Sequence, residues 1–319
     1  MFSTYTIEIL AFLALCAIYW KRSRVNFFEL TQKEHVVLIT GAANGLGRCL
    51  ARILWDQIDG VTLILLDIDA EGLKRVEKSL NTGKNGTIRT YQCDISDENA
   101  VGKCMSRIQS DIAPRLISVV VNNAGIATGS KLENLTTTQI RRTFDVNVLG
   151  QFWILRHTLP YLKQCNEAMI VTVSSILGLI PAARLSDYCA SKAASIGLHE
   201  SLRLELKHDG LNHIRTLLVC PIAVNTGMFA GAFEGNSLKK KLSRFLIPML
   251  DEEQVARTIF EAMAGGKSLL ISCARGWRGM LYPYLFFLIR LLPISWYDAI
   301  LMAAGADDAM DTLRGRKVQ

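Results

Sequence analysis

His35-Val36-Val37-Leu38-Ile39-Thr40 runs directly into Gly41-Ala42-Ala43-Asn44-Gly45-Leu46-Gly47-Arg48. The first part is a continuous apolar run without alternation, which predicts a strand buried on both faces, as in a parallel sheet. The second part is a glycine-rich turn, and an apolar-periodic helix is expected from it through Trp55. Strand, turn and helix in that order form a dinucleotide-binding opening. The glycines let the backbone approach a pyrophosphate, and the helix N-terminus favours its negative charge. The spacing is G-x-x-x-G-x-G rather than G-x-G-x-x-G, and by itself such a turn is equally consistent with structural punctuation.

Working outward, a second strand over 61–66 ends at Asp67, 20 residues past Gly47. An acidic residue there accepts hydrogen bonds from adenosine-ribose hydroxyls and repels a 2′-phosphate, which favours NAD over NADP. A helix N-cap is the competing role, and it suits Asp69 better. A helix over 71–80, a strand over 87–92 ending in Cys93-Asp94, a helix over 98–111 and a strand over 116–121 follow. That last strand leads into Asn122-Asn123-Ala124-Gly125. Strands and helices alternating at this rhythm predict an α/β fold, a doubly wound parallel sheet of Rossmann type. Each polar or glycine-rich cluster falls at the carboxyl end of a strand, where such sheets bind ligands.

Further on, Tyr188 and Lys192 are four residues apart and share a face of an expected helix over 187–208. An ammonium beside a phenol favours the phenolate, so Lys192 is expected to draw the Tyr188 pKa down toward a useful acid–base range. Ser174 and Ser175 both follow a strand over 169–173, and the residues alone do not choose between them. The strand over 214–220 runs into Pro221-Ile222-Ala223-Val224-Asn225-Thr226. A capped helix over 251–264 and a final edge strand over 268–272 complete the expected domain.

These residues resemble the short-chain dehydrogenase/reductase family. The resemblance rests on Thr40 to Gly47, Asp94, Asn122 to Gly125, Asn147, Ser175 and Tyr188 with Lys192, in the right order and spacing over about half the chain. It implies a catalytic group of Asn147, Ser175, Tyr188 and Lys192, with Ser175 selected by the family interval of thirteen residues to the tyrosine. It also implies a pyrophosphate turn at Gly41, Gly45 and Gly47, with Asn44 and Leu46 beside it. Asp94 would meet the adenine amine, Asn122 would brace the sheet and approach the ribose, and Ala124 and Gly125 would lie along the cofactor. Asn147 would hold a water in a proton relay. Tyr188 and Lys192 would meet the nicotinamide ribose, and Ser175 and Tyr188 the substrate oxygen. Pro221 and Thr226 would contact the nicotinamide, although Ile222 departs from the family's usual Pro-Gly at this point. Residues 229–249 would form a substrate loop and lid. The pieces around 149–153, 187–192, 225–229 and 310–316 are similar to the branch of membrane-bound retinol dehydrogenases and 17-beta-hydroxysteroid dehydrogenases.

Composition bounds the partners. Half of the 319 residues are hydrophobic, and the formal net charge is +7. Basic residues cluster at 21–24, 239–244 and 314–317 without interleaved aromatics. This arrangement suits anionic lipid headgroups and argues against a nucleic-acid partner. The eight cysteines show no C-x-x-C and no metal-ligand spacing, as expected of free thiols in a reducing compartment. The two sequons at Asn85 and Asn134 are then unused. Residues 5–20 are apolar apart from Thr6 and Glu8 and are followed by Lys21-Arg22-Ser23-Arg24. As a helix this run reaches about 24 Å, less than the roughly 30 Å of a bilayer core. It is read as an anchor that leaves the catalytic domain facing the cytosol. Residues 280–294 are again apolar, with Arg290 inside and two prolines, and are read as an interfacial helix, with core packing or a dimer contact as the competing reading.

The expected organisation is an anchor and basic flank over 1–24, a dehydrogenase domain over 33–273 and an apolar, membrane-associated extension over 274–319. The expected activity is NAD-dependent oxidation of a lipophilic alcohol, retinol first, on endoplasmic reticulum or lipid droplets, by a homodimer without a metal. A 17-beta-hydroxysteroid or long-chain alcohol dehydrogenase is the enzymatic alternative. A catalytically idle recruitment protein is the alternative outside enzymology.

Overall fold

The computed structural model describes residues 35–80, 83–229, 240, 241, 243, 245 and 247–307. The expected anchor over 1–24 and the basic tail over 314–317 lie outside the described residues.

Seven strands form one parallel sheet: β1 (Val36–Thr40), β2 (Thr62–Asp67), β3 (Thr87–Gln92), β4 (Val119–Asn122), β5 (Ala168–Val173), β6 (Ile214–Pro221) and β7 (Leu269–Ser272). Their order across the sheet is β3-β2-β1-β4-β5-β6-β7. The order reverses between β1 and β4, and this switch point opens a crevice at the carboxyl ends of the strands.

Side chains alternate across each strand, so an unbroken apolar run fills two cores at once. Val37 and Ile39 of β1 join Val119 and Val121 of β4 and Met169 and Val171 of β5 on one face. Val36, Leu38, Val120 and Ile170 pack on the other. The first face is covered by α1 (Gly45–Gln57), α2 (Ala70–Leu80) and α7 (Glu252–Ala264), which bring Leu50, Leu54, Val76 and Ile259 to it. The second is covered by α3 (Glu98–Ile112), α5 (Gly150–Leu162) and α6 (Ser186–His208), with Val101, Ile154 and Leu202. Helix starts are capped as their sequences suggest: Asp97 accepts from the backbone of Asn99 and Ala100, and Asp251 from Glu253 and Gln254.

Two features of the helices bear on function. The helical stretch that carries Asn147 is interrupted: α4 (Thr137–Phe144) and α5 are joined by one π-helical stretch, Asp145–Leu149. The apolar run over 280–294 is not one helix. Trp277–Leu288 forms α8, Ile289–Leu291 a 3-10 turn, and Ile294–Ala303 forms α9 after a break at Pro293. Proline cannot donate to the preceding turn and restricts the residue before it, which ends the helix there. Among the described residues no helix is long and apolar enough to cross a membrane.

Leu38 lies in a central strand and is wholly buried, whereas Leu132 is 68% exposed. Leu38→Ala is expected to lower stability by about 2–5 kcal/mol and Leu132→Ala by less than about 0.5 kcal/mol, as read by urea unfolding.

Candidate active site

The turn after β1 has the close packing that its glycines allow. Gly41 and Gly45 adopt left-handed backbone, with φ of +67° and +54°. A Cβ on Gly47 would lie 2.2 Å from the Gly41 carbonyl oxygen, and one on Gly41 would lie 2.8 Å from the Ala124 Cα. Asn123 holds the turn from the side, donating through Nδ2 to the carbonyls of Thr40 at 2.9 Å and Gly41 at 3.2 Å. The Thr40 hydroxyl accepts in return from the backbone of Asn123 and Ala124.

Above this turn a cavity of about 560 Å³ follows the carboxyl ends of the strands. Gly41, Asn44, Gly45, Leu46, Asp67, Asp94, Ala124, Gly125, Ser175, Tyr188, Lys192, Pro221 and Thr226 all line it. The sheet order places Asp94 and Asp67, after β3 and β2, toward one end, and Ser175 and Pro221, at the ends of β5 and β6, toward the other. Asp67 accepts from the backbone N–H of Ala43 at 2.9 Å and of Asp69 at 3.0 Å. Asp69 instead holds the start of α2, accepting from the Gly72 N–H at 2.8 Å.

At the sheet's other end, Tyr188 is fully buried and hydrogen-bonded to the Ser175 side chain. Lys192 Nζ stands 5.6 Å from the Tyr188 ring centroid and donates to the Val173 carbonyl at 3.1 Å. The expectation that Lys192 draws the phenol down is corrected here. Burial pushes the Tyr188 phenol well above its ordinary range, and the Ser175 hydrogen bond opposes this only in part. Burial also brings the Lys192 ammonium down to about 8. Ser174 donates to the Lys192 carbonyl at 2.9 Å, tying the end of β5 to α6.

Burial and hydrogen bonding fix three further residues of the site. Asn122 is 1% exposed, and its amide finds no hydrogen-bond partner among the described residues; Asn123, the next residue, is the one that faces the cavity. Alternation along β4 decides this, because neighbouring side chains point to opposite faces. Asn147 is wholly buried and clamps Ile126, accepting from its N–H and donating to its carbonyl. The widened π turn presents the Asn147 carbonyl to Gln151 Nε2 and Ser195 Oγ, both at 2.9 Å. Ile222, where the family's usual Pro-Gly is absent, donates its N–H to the Ser272 carbonyl at 3.2 Å.

Some cavity residues had no sequence signal. Arg142 on α4 pairs with Asp94 at 3.0 Å and also donates to the Ser96 hydroxyl. Burial alone would raise the Asp94 carboxyl, but the Ser96 hydrogen bonds and the Arg142 guanidinium outweigh it and hold it below the usual carboxylate range. Arg48 and Glu252 also line the cavity and lie 3.5 Å apart, although 204 residues separate them in the chain. The Asp94–Arg142 pair likewise joins residues 48 apart, and no local pattern reveals such partners.

These features fit a bound dinucleotide. The turn admits no side chain at Gly41 or Gly47, and an acidic residue stands at the end of β2. A Cβ on Gly125 would lie 3.3 Å from both Lys192 Nζ and Asn147 Oδ1, so glycine keeps that space open.

Comparison with known proteins agrees. A short chain dehydrogenase family model matches residues 35–237. The chain is 36% identical over 236 residues to short-chain dehydrogenase/reductase family 16C member 6 of Bos taurus, covering 74% of this chain and 71% of that one. It is 31% identical over 331 aligned positions to human retinol dehydrogenase 10, covering 97% and 92%. It is 32% identical over 269 residues to 17-beta-hydroxysteroid dehydrogenase 13 of Rattus norvegicus, covering 83% and 84%. Among solved structures, a Burkholderia phymatum short chain dehydrogenase/reductase in complex with NAD superposes with a TM-score of 0.68 at 24% identity, covering 83% of this chain and 95% of that one. A metagenomic short-chain oxidoreductase in complex with NADP gives 0.60 at 23%, covering 74% and 96%. The protein belongs to the short-chain dehydrogenase family. It is an NAD(P)-dependent oxidoreductase acting on CH–OH donors.

Gly47→Ala must displace the Gly41 carbonyl. It is expected to weaken NAD binding at least about tenfold in a fluorescence titration, in line with an overpacking cost of about 1–3 kcal/mol. For Lys192, the unfolded chain holds its proton up to the ordinary lysine value of 10.5, whereas the folded protein loses it near 8. Stability from this residue is therefore complete above the unfolded value and falls as pH drops to about 8. Measured against Lys192→Met, the urea midpoint of the wild-type protein should rise between about pH 8 and about pH 10; a flat difference contradicts the assignment.

Proposed function

We propose that the protein is an NAD-dependent dehydrogenase of lipophilic alcohols, with retinol to retinal as the first candidate reaction. The observation that carries this reading is the Ser175–Tyr188–Lys192 group at one end of the cavity, with the Asp67 carboxylate facing the other end.

In this reading the Gly41–Gly47 turn and the N-terminus of α1 hold the pyrophosphate. Asp67 meets the adenosine ribose and disfavours a 2′-phosphate. Asp94, kept ionised by Ser96 and Arg142, accepts from the adenine amine. The dinucleotide, when bound, supplies the hydride acceptor and a positively charged ring. Ser175 orients the substrate oxygen, and Tyr188 exchanges the hydroxyl proton with it. Lys192 titrates near 8, so it is well matched to pass that proton on. The space kept open by Gly125 between Lys192 Nζ and Asn147 Oδ1 is the place for a relay water.

The substrate side is apolar. Ala127, Leu177, Leu185, Met228, Ile247 and Met249 form an apolar cluster with Tyr188, and Ala127 and Met228 line the cavity. That lining suits a substrate dissolved in lipid, and it is the lipophilic class named in the retinol and steroid dehydrogenase relatives. A 17-beta-hydroxysteroid is the second reading, favoured by the similarity to the rat steroid enzyme. Long-chain alcohols fit the same lining. Residence on the endoplasmic reticulum or lipid droplets, with the domain in the cytosol, completes the proposal.

The deciding assay gives the full-length protein retinol with NAD or NADP and follows cofactor reduction. NAD-dependent retinal formation is expected, with Tyr188→Phe slower by at least about 10²-fold. Turnover with NADP alone overturns the Asp67 argument. Turnover of a steroid 17-hydroxyl in preference to retinol moves the second reading to first place.

A further inference from the structure

Behind the catalytic end of the cavity, buried polar pairs tie the α4–α5 stretch to α6. Thr143 Oγ1 donates to Asp187 Oδ2 at 2.9 Å, Asn147 Nδ2 to Ser191 Oγ at 2.9 Å, and Gln151 Nε2 to Ser195 Oγ at 3.1 Å. Each pair spans 44 residues of sequence, so the two helical stretches run in the same direction and in register. No side chain of this ladder is more than 4% exposed. At 3.6 residues per turn, residues four apart drift round a helix by about 40° at each step. The wider π turn at Asp145–Leu149 takes up part of that drift, so Thr143, Asn147 and Gln151 all reach α6.

Every side-chain proton on the ladder has a partner. Asn147 Nδ2 divides its two between Ser191 and the Ile126 carbonyl, and Gln151 Nε2 divides its two between Ser195 and the Asn147 carbonyl. Of the hydroxyls, Thr143 donates to Asp187, Ser191 to the Tyr188 carbonyl at 2.8 Å, and Ser195 to the Asn147 carbonyl. Acceptors are in excess: Asp187 Oδ1 and Gln151 Oε1 find no partner among the described residues. A lost proton therefore cannot be replaced from within the network. Apolar contacts are non-directional, whereas buried hydrogen bonds with all donors used hold one arrangement of the elements they join.

The rungs stand next to the reacting groups. Asp187 and Ser191 immediately precede Tyr188 and Lys192, which lie about 100° further round α6. Any rotation of α6 therefore swings the phenol and the ammonium about the helix axis. Tyr188 has to meet Ser175 on another element, and Lys192 has to meet the Val173 carbonyl and the space beside Asn147 Oδ1. Misplacing a reacting group by about 1 Å can slow a reaction by about 10²-fold.

We infer that Thr143, Gln151 and Ser195 are positioning residues: with Asp187 and Ser191 they fix the rotation of α6, and so the placing of Tyr188 and Lys192 against Asn147. The ladder stands on its own contacts; its effect on turnover rests on Tyr188 as the acid–base group proposed above.

The test uses the full chain with retinol and NAD, and compares Thr143→Val, Ser195→Ala and the two combined. Each single variant is expected to lower kcat at least about tenfold while the KM for NAD stays within about twofold, because the Gly41–Gly47 turn is untouched. Thr143→Ser keeps the hydroxyl and should hold kcat within about threefold of the wild type. Thr143 and Ser195 share no partner, and their rungs lie about 12 Å apart along the helix. Independent losses at that distance multiply, whereas a ladder acting as one unit fails at its first broken rung. The double variant should therefore be little slower than the slower single one. Thermal midpoints and NAD binding show which variants fold; if Thr143→Val does not, Ser195→Ala, which removes a single oxygen, decides. Wild-type kcat in the folded single variants overturns the inference, as do fully multiplicative losses or a Thr143→Ser no faster than Thr143→Val. Hydrogen exchange with NAD and no alcohol reads the ladder without turnover: Ser195→Ala should speed exchange at least about tenfold over 186–191, two rungs away. Unchanged exchange there overturns the inference, and this arm decides the ladder if the wild type does not oxidise retinol. Tyr188→Phe separates the two readings. Turnover equal to the wild type refutes Tyr188 and the inference together, whereas a slow Tyr188→Phe beside unimpaired ladder variants refutes the inference alone.

Discussion

The contact on which this molecule depends is the approach of Gly47 to the carbonyl of Gly41, braced by Asn123. The ends of β1 and β4 diverge at the switch point of the sheet, and backbone there would be short of partners. Asn123 donates to two carbonyls of the turn, and the Thr40 hydroxyl accepts from two N–H groups after β4. The two strand ends are thereby sewn into one surface. Because no Cβ fits at Gly47 or Gly41, the N-terminus of α1 sits directly over that surface. That surface offers a dinucleotide backbone N–H groups at a helix N-terminus rather than side chains.

Burial sets the electrostatics of the other end. Tyr188, Lys192 and His199 share α6, and each has its neutral form favoured by desolvation: the phenol is raised, the ammonium brought to about 8, and the imidazole to about 4. A tyrosine and a lysine four residues apart on a surface helix would stabilise each other's charge. Under the sheet edge, with Ser175 bonded to the phenol and Val173 to the ammonium, desolvation outweighs that attraction. Desolvation thus favours the neutral form of each group, so the two do not stand as a fixed ion pair.

Much of the fold was legible locally. The unbroken runs Val36–Thr40 and Ala168–Val173 are buried on both faces, as parallel strands require, and the glycine turn announced the helix that follows. Asp69 starts α2, as its position suggested, while Asp67 lines the cavity. Other features were out of reach. Arg142 with Asp94, and Arg48 with Glu252, are partners brought together by packing of distant elements. The π turn at Asn147 depends on α5 and α6 meeting through Gln151 and Ser195. The apolar run near the C-terminus gave hydropathy without showing that its two halves fold as separate helices.

By itself the sequence determined the strand–helix alternation, the glycine turn and which residue types stand at each strand end, because these follow from periodicity and from what a backbone without a Cβ permits. Tertiary structure alone decided the protonation balance of Tyr188 and Lys192 and the inward turn of Asn122 and Asn147. These depend on desolvation and on contacts between residues far apart in the chain, neither of which has a local signature.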